Sequence, residues 1–248
     1  FDDYVRRYTD MPMLVMLREH TLPNGDVVMV PDRYVRASDF NGKLGAANNP
    51  EWKTVAIDVN GKVVLPNGAI GFRWGPDGRA DEGQWNLEAK EARNGNSVKL
   101  KLSVMENDSQ GFGASTQTAK VGFPYFGGIV SEHFPNNATG AGVNNVLERT
   151  VPEQTIQLGK GGDKREALVA TVFDLQVANY GVARGLEGEL AAKDFNVDTP
   201  YTPAWQERIT GTPREQLITV ARQFADNADK THGKSMVIIG AAMNHWYH

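Results

Sequence analysis

Hydrophobic and polar positions change their rhythm twice along this chain. Residues 13–17, Met-Leu-Val-Met-Leu, form an unbroken apolar run. Such a run predicts a buried strand or the start of a buried helix, and periodicity alone does not separate the two. From there to about residue 150 the pattern is alternation broken by turns. In "TVAIDVNGKVVL" Val55, Ile57 and Val59 alternate before Asn60-Gly61, and Val63 and Leu65 after it, which predicts a hairpin. "SVKLKLSV" (97–104) alternates in the same way. Asn-Gly recurs at 24–25, 41–42, 60–61, 67–68 and 94–95. Both residues accept the positive φ of a type I′ turn, so the pair is a strong hairpin signal. "LPNG" at 22–25 and 65–68 is shared turn chemistry, since the flanks do not match. Residues 106–118 and 135–145, rich in Asn, Ser, Thr, Gly and Gln, read as long loops.

After residue 150 the period lengthens. "TIQLGKGGDKREALVATVF" predicts one more hairpin around Gly159–Asp163, and "DLQVANYGVARGL" a short helix ending near Gly185. In "YTPAWQERITG" Thr202 is an N-cap and Pro203 occupies the first helical position, where a missing N–H costs nothing. Leu217, Val220, Ala221, Phe224 and Ala225 recur at helical spacing, and Thr212 with Glu215 predicts a capping box. A polar turn at 231–234 leads to "SMVIIG", read as a buried strand. The expected fold class is therefore α/β. A turn-rich, strand-rich part with hairpins (1–150) precedes an α/β unit with a largely parallel sheet (151–248).

Composition narrows the function. Net charge is −4 and the isoelectric point about 5.8, so no basic field invites nucleic acid or an anionic membrane. No apolar run reaches the roughly 18 residues of a direct membrane span. With no cysteine in 248 residues, disulfides, thiolate metal sites and iron–sulfur ligation are excluded within this chain. The chain opens on "FDDYVRRYTDMPMLVML" without Met and closes after an apolar stretch, so a fragment of a longer protein is expected.

The familiar catalytic motifs are absent. "HGKS" (232–235) has the end of a phosphate-binding loop, but Ala228 replaces the required Gly and the strand–helix order is reversed. "GKGG" (159–162) lacks dinucleotide-fingerprint spacing. Neither G-x-S-x-G nor H-E-x-x-H occurs. His20 and His133 read as loop residues without partners at ligand spacing. Trp52, Trp74 and Trp85 sit near the carboxylates of "DGRADEG"; they suit a carbohydrate-binding platform, or, more plainly, the stapling of a small core.

The last residues remain. In α/β sheets ligands lie beyond the carboxyl ends of the strands. "AAMNHWYH" stands just past the predicted strand, with Gly240 permitting close backbone approach and Asn244 and His245 supplying hydrogen-bond groups. His245 and His248 make only two ligands, short of the three or four that zinc takes.

Six segments carry a resemblance: "YTDMPMLVML" (8–17), "NNPEWKTVA" (48–56), "GAIGFRWG" (68–75), "VGFPYFGG" (121–128), "YTPAWQERITG" (201–211) and "RQFADNADKTHGKSMVIIGAAMNHWYH" (222–248). On these the chain resembles an internal part of the catalytic alpha subunit of respiratory, membrane-bound nitrate reductase. That subunit falls in the molybdopterin-oxidoreductase (dimethyl-sulfoxide-reductase-like) superfamily. Residues 106–118, 135–145 and "DGRADEG" depart from the pattern and read as lineage-specific loops. The resemblance implies several α/β domains around molybdenum bis(molybdopterin guanine dinucleotide), a 4Fe–4S cluster, and reduction of nitrate to nitrite by oxygen-atom transfer. It implies electrons from quinol through an iron–sulfur beta subunit and a membrane haem gamma subunit, at the cytoplasmic face of the membrane. The cluster motif and the molybdenum ligand belong to parts of the subunit not found in this chain, so the 248 residues alone are expected to bind no cofactor and to be inactive. Asn244, His245 and Gly240 are the implied cofactor-side residues, in contact with a pterin or shaping the nitrate pocket, with His245 acting through hydrogen bonds or serving as a buried structural histidine. A molybdenum reductase for selenate or chlorate, and a free-standing ligand-binding domain, are the alternatives.

Overall fold

The computed structural model describes residues 2–22, 24–40, 53–66, 89–91, 94–107, 111–112, 117–124, 146–159, 161–238 and 240. They form two compact units, residues 2–191 and residues 192–248. The division falls at Ala191/Ala192, well past residue 150, where the sequence texture changes.

The larger unit is built on a closed five-stranded barrel: β1 (Leu14–Thr21), β2 (Val27–Tyr34), β7 (Gln117–Pro124), β8 (Val146–Leu158) and β9 (Arg165–Thr171). The apolar run at 13–17 thus resolves as strand. Strands β1 and β2 form a hairpin through Asn24-Gly25, where Gly25 has φ +89°. Their register shifts between Val15 and Leu17, beside Pro31, a residue with no N–H for the ladder. Strands β8 and β9 form the second predicted hairpin, with Gln154 opposite Val169 and Leu158 opposite Arg165. Gly159 begins its turn at φ +75°, and a Cβ there would lie 1.9 Å from the Asp163 carbonyl oxygen. No other residue fits that position.

Strand β8 runs antiparallel to β7 over eight residue pairs. Strand β1 meets β9 antiparallel from Leu14↔Thr171 to Met16↔Val169. The only parallel contact among the described strands is the seam between β2 and β7, at Met29↔Val121. The expected largely parallel sheet is therefore not what forms. Parallel neighbours need crossover helices, whereas here tight turns join β1 to β2 and β8 to β9, and the longer helices follow the last strand.

Alternation along the strands sorts two cores. Val15 and Leu17, Val121 and Phe123, Val151 and Ala170 gather with Met29, drawing on all five strands, so they fill the barrel. The opposite face of β1, β8 and β9 supplies Leu14, Ile156, Leu158 and Val169. It packs against Val35, Phe40, Val55, Ile57 and Leu65. Of these, Ile57 belongs to the two-residue strand β3 (Ala56–Ile57), paired with β4 (Val63–Val64) as the hairpin pattern predicted. Its turn is held by Asp58, whose Oδ1 accepts from the backbone N–H of Asn60 (3.0 Å) and Lys62 (2.8 Å). Residues 97–101 run beside it only through isolated bridges and single hydrogen bonds, not as the continuous strand their alternation suggested. A two-residue ladder, β5 (Glu106–Asn107) with β6 (Gly111–Phe112), completes the strands.

Among the described residues of this unit two segments are α-helical. Helix α1 (Asp2–Tyr8) is tied down by Arg6, which donates to both carboxylate oxygens of Glu106 at 2.7 Å and to the Leu100 carbonyl at 2.6 Å. Helix α2 (Val172–Asn179) follows β9 directly and sends Leu175 and Ala178 into the barrel core. It stops at Asn179, short of the expected Gly185.

The smaller unit holds α3 (Pro203–Thr210) and α4 (Arg214–Lys230). Thr202 caps α3 as predicted, accepting from the Trp205 N–H at 3.2 Å, and Gly211 ends it at φ +73°. The capping box predicted for α4 is not made. The helix begins at Arg214 with Pro213 as its N-cap, so Thr212 lies one position too early to reach the first turn.

Candidate functional site

The segment after α4 was expected to be a strand with a ligand wall beyond it. The polar turn is present: the Thr231 hydroxyl accepts from the Lys234 N–H at 3.1 Å, and Asn227 Nδ2 donates to the Lys234 carbonyl and Ser235 Oγ at 2.9 Å. Beyond it, residues 234–238 are not a strand, and Met236, Val237 and Ile238 are exposed. A strand exists only as one side of a ladder, and no neighbour within the described residues of this unit offers one. Gly240 is likewise exposed, and a Cβ there would meet nothing within 4 Å. Any demand for glycine at 240 therefore comes from outside the contacts of the described residues. Asn244 and His245 lie outside the described residues, as do His133, Trp52, Trp74 and Trp85. His20 is an exposed residue of β1, not of a loop.

The most elaborate polar constellation among the described residues centres on Asp174, in the first turn of α2 and fully buried. Its Oδ1 accepts from Ser103 Oγ (2.6 Å) and Arg184 Nη1 (2.6 Å). Its Oδ2 accepts from the Val104 N–H (2.9 Å) and Thr171 Oγ1 (2.9 Å). Thr171 in turn accepts from the Asp174 N–H at 3.0 Å, which makes it the N-cap of α2. Burial pushes the Asp174 carboxyl up, against the opposing pull of Ser103, Val104, Arg184 and Thr171.

Next to it, the Glu189 carboxylate accepts from the N–H groups of Arg184, Gly185 and Leu186 at 2.8–3.3 Å. Thr150 of β8 accepts from the Leu190 N–H at 3.0 Å. Together these bonds seal the segment after α2 onto the barrel. Four donors occupy the two oxygens of Asp174, which leaves no lone pair for a substrate. The constellation is a fastening, and its local signature was T-x-x-D at 171–174; Ser103 and Arg184 carried no signal of their own.

A second ionic node sits at Asp39. Arg33 donates to both its oxygens (2.8 and 2.6 Å) and the Arg36 N–H adds a third bond at 2.8 Å. Burial alone pushes this carboxyl up, but the Arg33 and Arg36 donors, with Arg165 at 3.7 Å, outweigh it and hold it below the usual carboxylate range. Tyr34 donates its hydroxyl to Asp10 at 2.6 Å, and that bond pushes the phenol up to about 12.

Among the described residues no three His, Cys, Asp or Glu side chains converge as metal ligands. No described helix is long and apolar enough to cross a membrane. A chain without cysteine cannot supply thiolates to an iron–sulfur cluster.

No family model matches the chain. Individual proteins do. All 248 residues align at 50% identity with the respiratory nitrate reductase 1 alpha chain of Escherichia coli, of which they span 18%. The respiratory nitrate reductase 2 alpha chain of the same organism is 48% identical over the same 248 residues, again 18% of its length. The nitrate reductase alpha chain of Bacillus subtilis is 36% identical over 248 residues, 17% of its length. The chain is thus related along its whole length to one portion of a much longer kind of subunit.

Proposed function

We infer from this correspondence to respiratory nitrate reductase alpha chains that the protein is an internal portion of the catalytic subunit of a molybdenum-dependent nitrate reductase. The single observation that carries the inference is 50% identity sustained over every one of the 248 residues. In the complete subunit the reaction is nitrate to nitrite by oxygen-atom transfer, with electrons from quinol delivered through iron–sulfur and haem partner subunits. The assembly sits at the cytoplasmic face of the membrane through those partners.

The metal and the cluster are held by chain outside these residues. What this portion contributes is scaffold and one wall. Asn244 and His245, following Gly240, supply hydrogen-bond groups toward the pterin or the nitrate pocket, and His245 supports developing negative charge by donation, not by metal ligation. The cofactor carries the chemistry while protein groups orient and tune it.

The test uses the complete subunit with its partners. His245→Ala and Asn244→Ala should lower nitrate turnover by a factor on the order of 10², with molybdenum content retained. Unchanged turnover in both variants would remove the wall from the proposal. Assay of the unaltered complex against nitrate, selenate and chlorate tests the substrate, and a preference for either of the latter two would overturn nitrate. Stoichiometric molybdenum, or nitrate turnover with a reduced dye, in the purified 248-residue chain would contradict the placement of the metal outside it.

A further inference from the structure

Asn-Gly is a chemically weak pair as well as a good turn. The asparagine side-chain carbon can close a five-membered ring onto the next backbone nitrogen, and glycine has no Cβ to block the approach. Asparagine is accordingly among the thermolabile residues. Of the five pairs in the sequence, those at 24–25, 60–61 and 94–95 lie within the described residues.

These three share the same dipeptide and differ in what holds the amide. In each the asparagine is exposed and the glycine has positive φ: +89° at Gly25, +78° at Gly61 and +72° at Gly95. Each glycine N–H donates to a backbone carbonyl, Gly25 to Leu22 at 2.8 Å, Gly61 to Asp58 at 2.9 Å and Gly95 to Glu91 at 2.8 Å. The three nitrogens are therefore restrained alike. The amides are not. Asn24 Nδ2 donates to Asp26 Oδ2 at 2.7 Å, and its Oδ1 accepts from the Asp26 N–H at 3.0 Å. Asn94 Nδ2 donates to Glu91 Oε2 at 2.8 Å, and its Oδ1 accepts from the Asn96 N–H at 2.9 Å. Both amides are held at both ends, once by a carboxylate, which is the stronger kind of bond. The Asn60 side chain makes no hydrogen bond among the described residues; only its backbone N–H is engaged, donating to Asp58 Oδ1 at 3.0 Å.

We propose that Asn60 is a site of spontaneous deamidation and converts ahead of Asn24 and Asn94. The Gly61 nitrogen loses its proton and attacks Asn60 Cγ. The N–Cγ bond forms, the Cγ–Nδ2 bond breaks, ammonia leaves with that proton, and a succinimide remains. Water then opens the ring at either carbonyl, to aspartate or to isoaspartate, and nothing is oxidised or reduced. Asn24 and Asn94 must each give up two hydrogen bonds to reach the same geometry. Either product sets a carboxylate beside Asp58, whose Oδ1 holds the turn through the N–H groups of Asn60 and Lys62. Isoaspartate also adds a backbone methylene between β3 and β4. The turn that places Ile57 and Leu65 in the outer core is then the wrong length. The site stands whichever oxyanion the complete subunit reduces.

The test ages the complete subunit, with its partners, at mildly alkaline pH. Acid and isoaspartate at each asparagine are quantified by peptide mass spectrometry, with the guanidinium-denatured subunit as the reference for each site. Relative to that reference, Asn24 and Asn94 should be protected at least about tenfold more than Asn60, the order of effect expected from the hydrogen bonds they must release. Equal or greater protection at Asn60 overturns the proposal. So does an Asn60 that keeps its amide in the folded subunit while the denatured one loses it. Asp26→Ala removes the carboxylate from the Asn24 amide. It should speed conversion at Asn24 and leave Asn60 as it was; an unchanged rate at Asn24 would overturn the ranking by hydrogen bonds.

Discussion

Residues 2–191 and 192–248 use the same physical grammar with opposite results. In the first unit the apolar side of each long strand finds cover: Leu14, Val121, Val151 and Val169 are sealed from solvent. Its principal charges are met by shaped partners, as at Asp174, Glu106 and Asp39. In the second unit α4 is as clearly amphipathic as any strand of the barrel, yet its stripe faces water. Its ion pairs, Arg208 with Asp198 and Arg214 with Glu207, are partly exposed. Patterning in a sequence states a demand for cover; it does not say that the cover is local. The first unit answers its demand internally, and the second does not.

The sharpest break of that contrast is at Asp174. Asp174→Ala leaves Arg184 and three further donors without an acceptor in a sealed site. Removing one partner of a buried pair costs about 3–5 kcal/mol, so the first unit should unfold at markedly lower denaturant in an equilibrium titration. Next come matched truncations. Leu14→Ala, in the fully buried outer cluster, should cost about 2–5 kcal/mol. Leu217→Ala on α4 should stay within about 0.5 kcal/mol in the isolated chain. Comparable losses at the two positions, read from the same melts, would mean that the stripe is covered after all.

Gly159→Ala is expected to cost more than the roughly 1–3 kcal/mol of positive-φ strain alone, because a Cβ there also falls on the Asp163 carbonyl oxygen. Gly233→Ala, at φ +95° but with open space, bears the backbone strain alone and should cost less.

The smallest expected effect is the dependence on acid. The folded pKa of Asp39 lies below its unfolded value. Its contribution is therefore complete above the usual carboxylate range near 4 and is lost as pH falls through the folded value. Asp39→Asn should flatten that part of the pH–stability curve, whereas Asp198→Asn, in a partly exposed pair, should change stability by no more than about 0.5–1 kcal/mol. A larger loss on Asp198→Asn would contradict the contrast between the units.

Much of the local structure was legible. Asn24-Gly25, Asn60-Gly61 and Gly159–Asp163 turn where their chemistry says they should, and Thr202 with Pro203 starts α3. The barrel was not legible, because alternation tells which face of β1 is buried but not that β9 is its neighbour. The Asp174 fastening escaped for the same reason, since Ser103 donates across 71 residues of sequence. The strand expected at 235–240 failed differently: its residues suit a strand, and the missing element is a partner. Of the ligand wall, Asn244 and His245 lie outside the described residues, while Gly240 shows only that nothing among the described residues crowds it.

Barrel closure has a consequence for how the chain is made. Strand β1 takes β2 on one side at once, through a short turn, but on the other it must wait for β9, with Leu14 meeting Thr171. During synthesis the first hairpin therefore emerges with both outer edges bare: that of β2 waits for β7, and that of β1 stays open until residue 171 has left the ribosome. An unpaired edge of that kind recruits other strands, so the interval is an opportunity for chaperones and for aggregation alike. Nascent chains arrested before residue 165 should be held by chaperones, and those arrested well beyond Asn179, with α2 seated on the barrel, should be released.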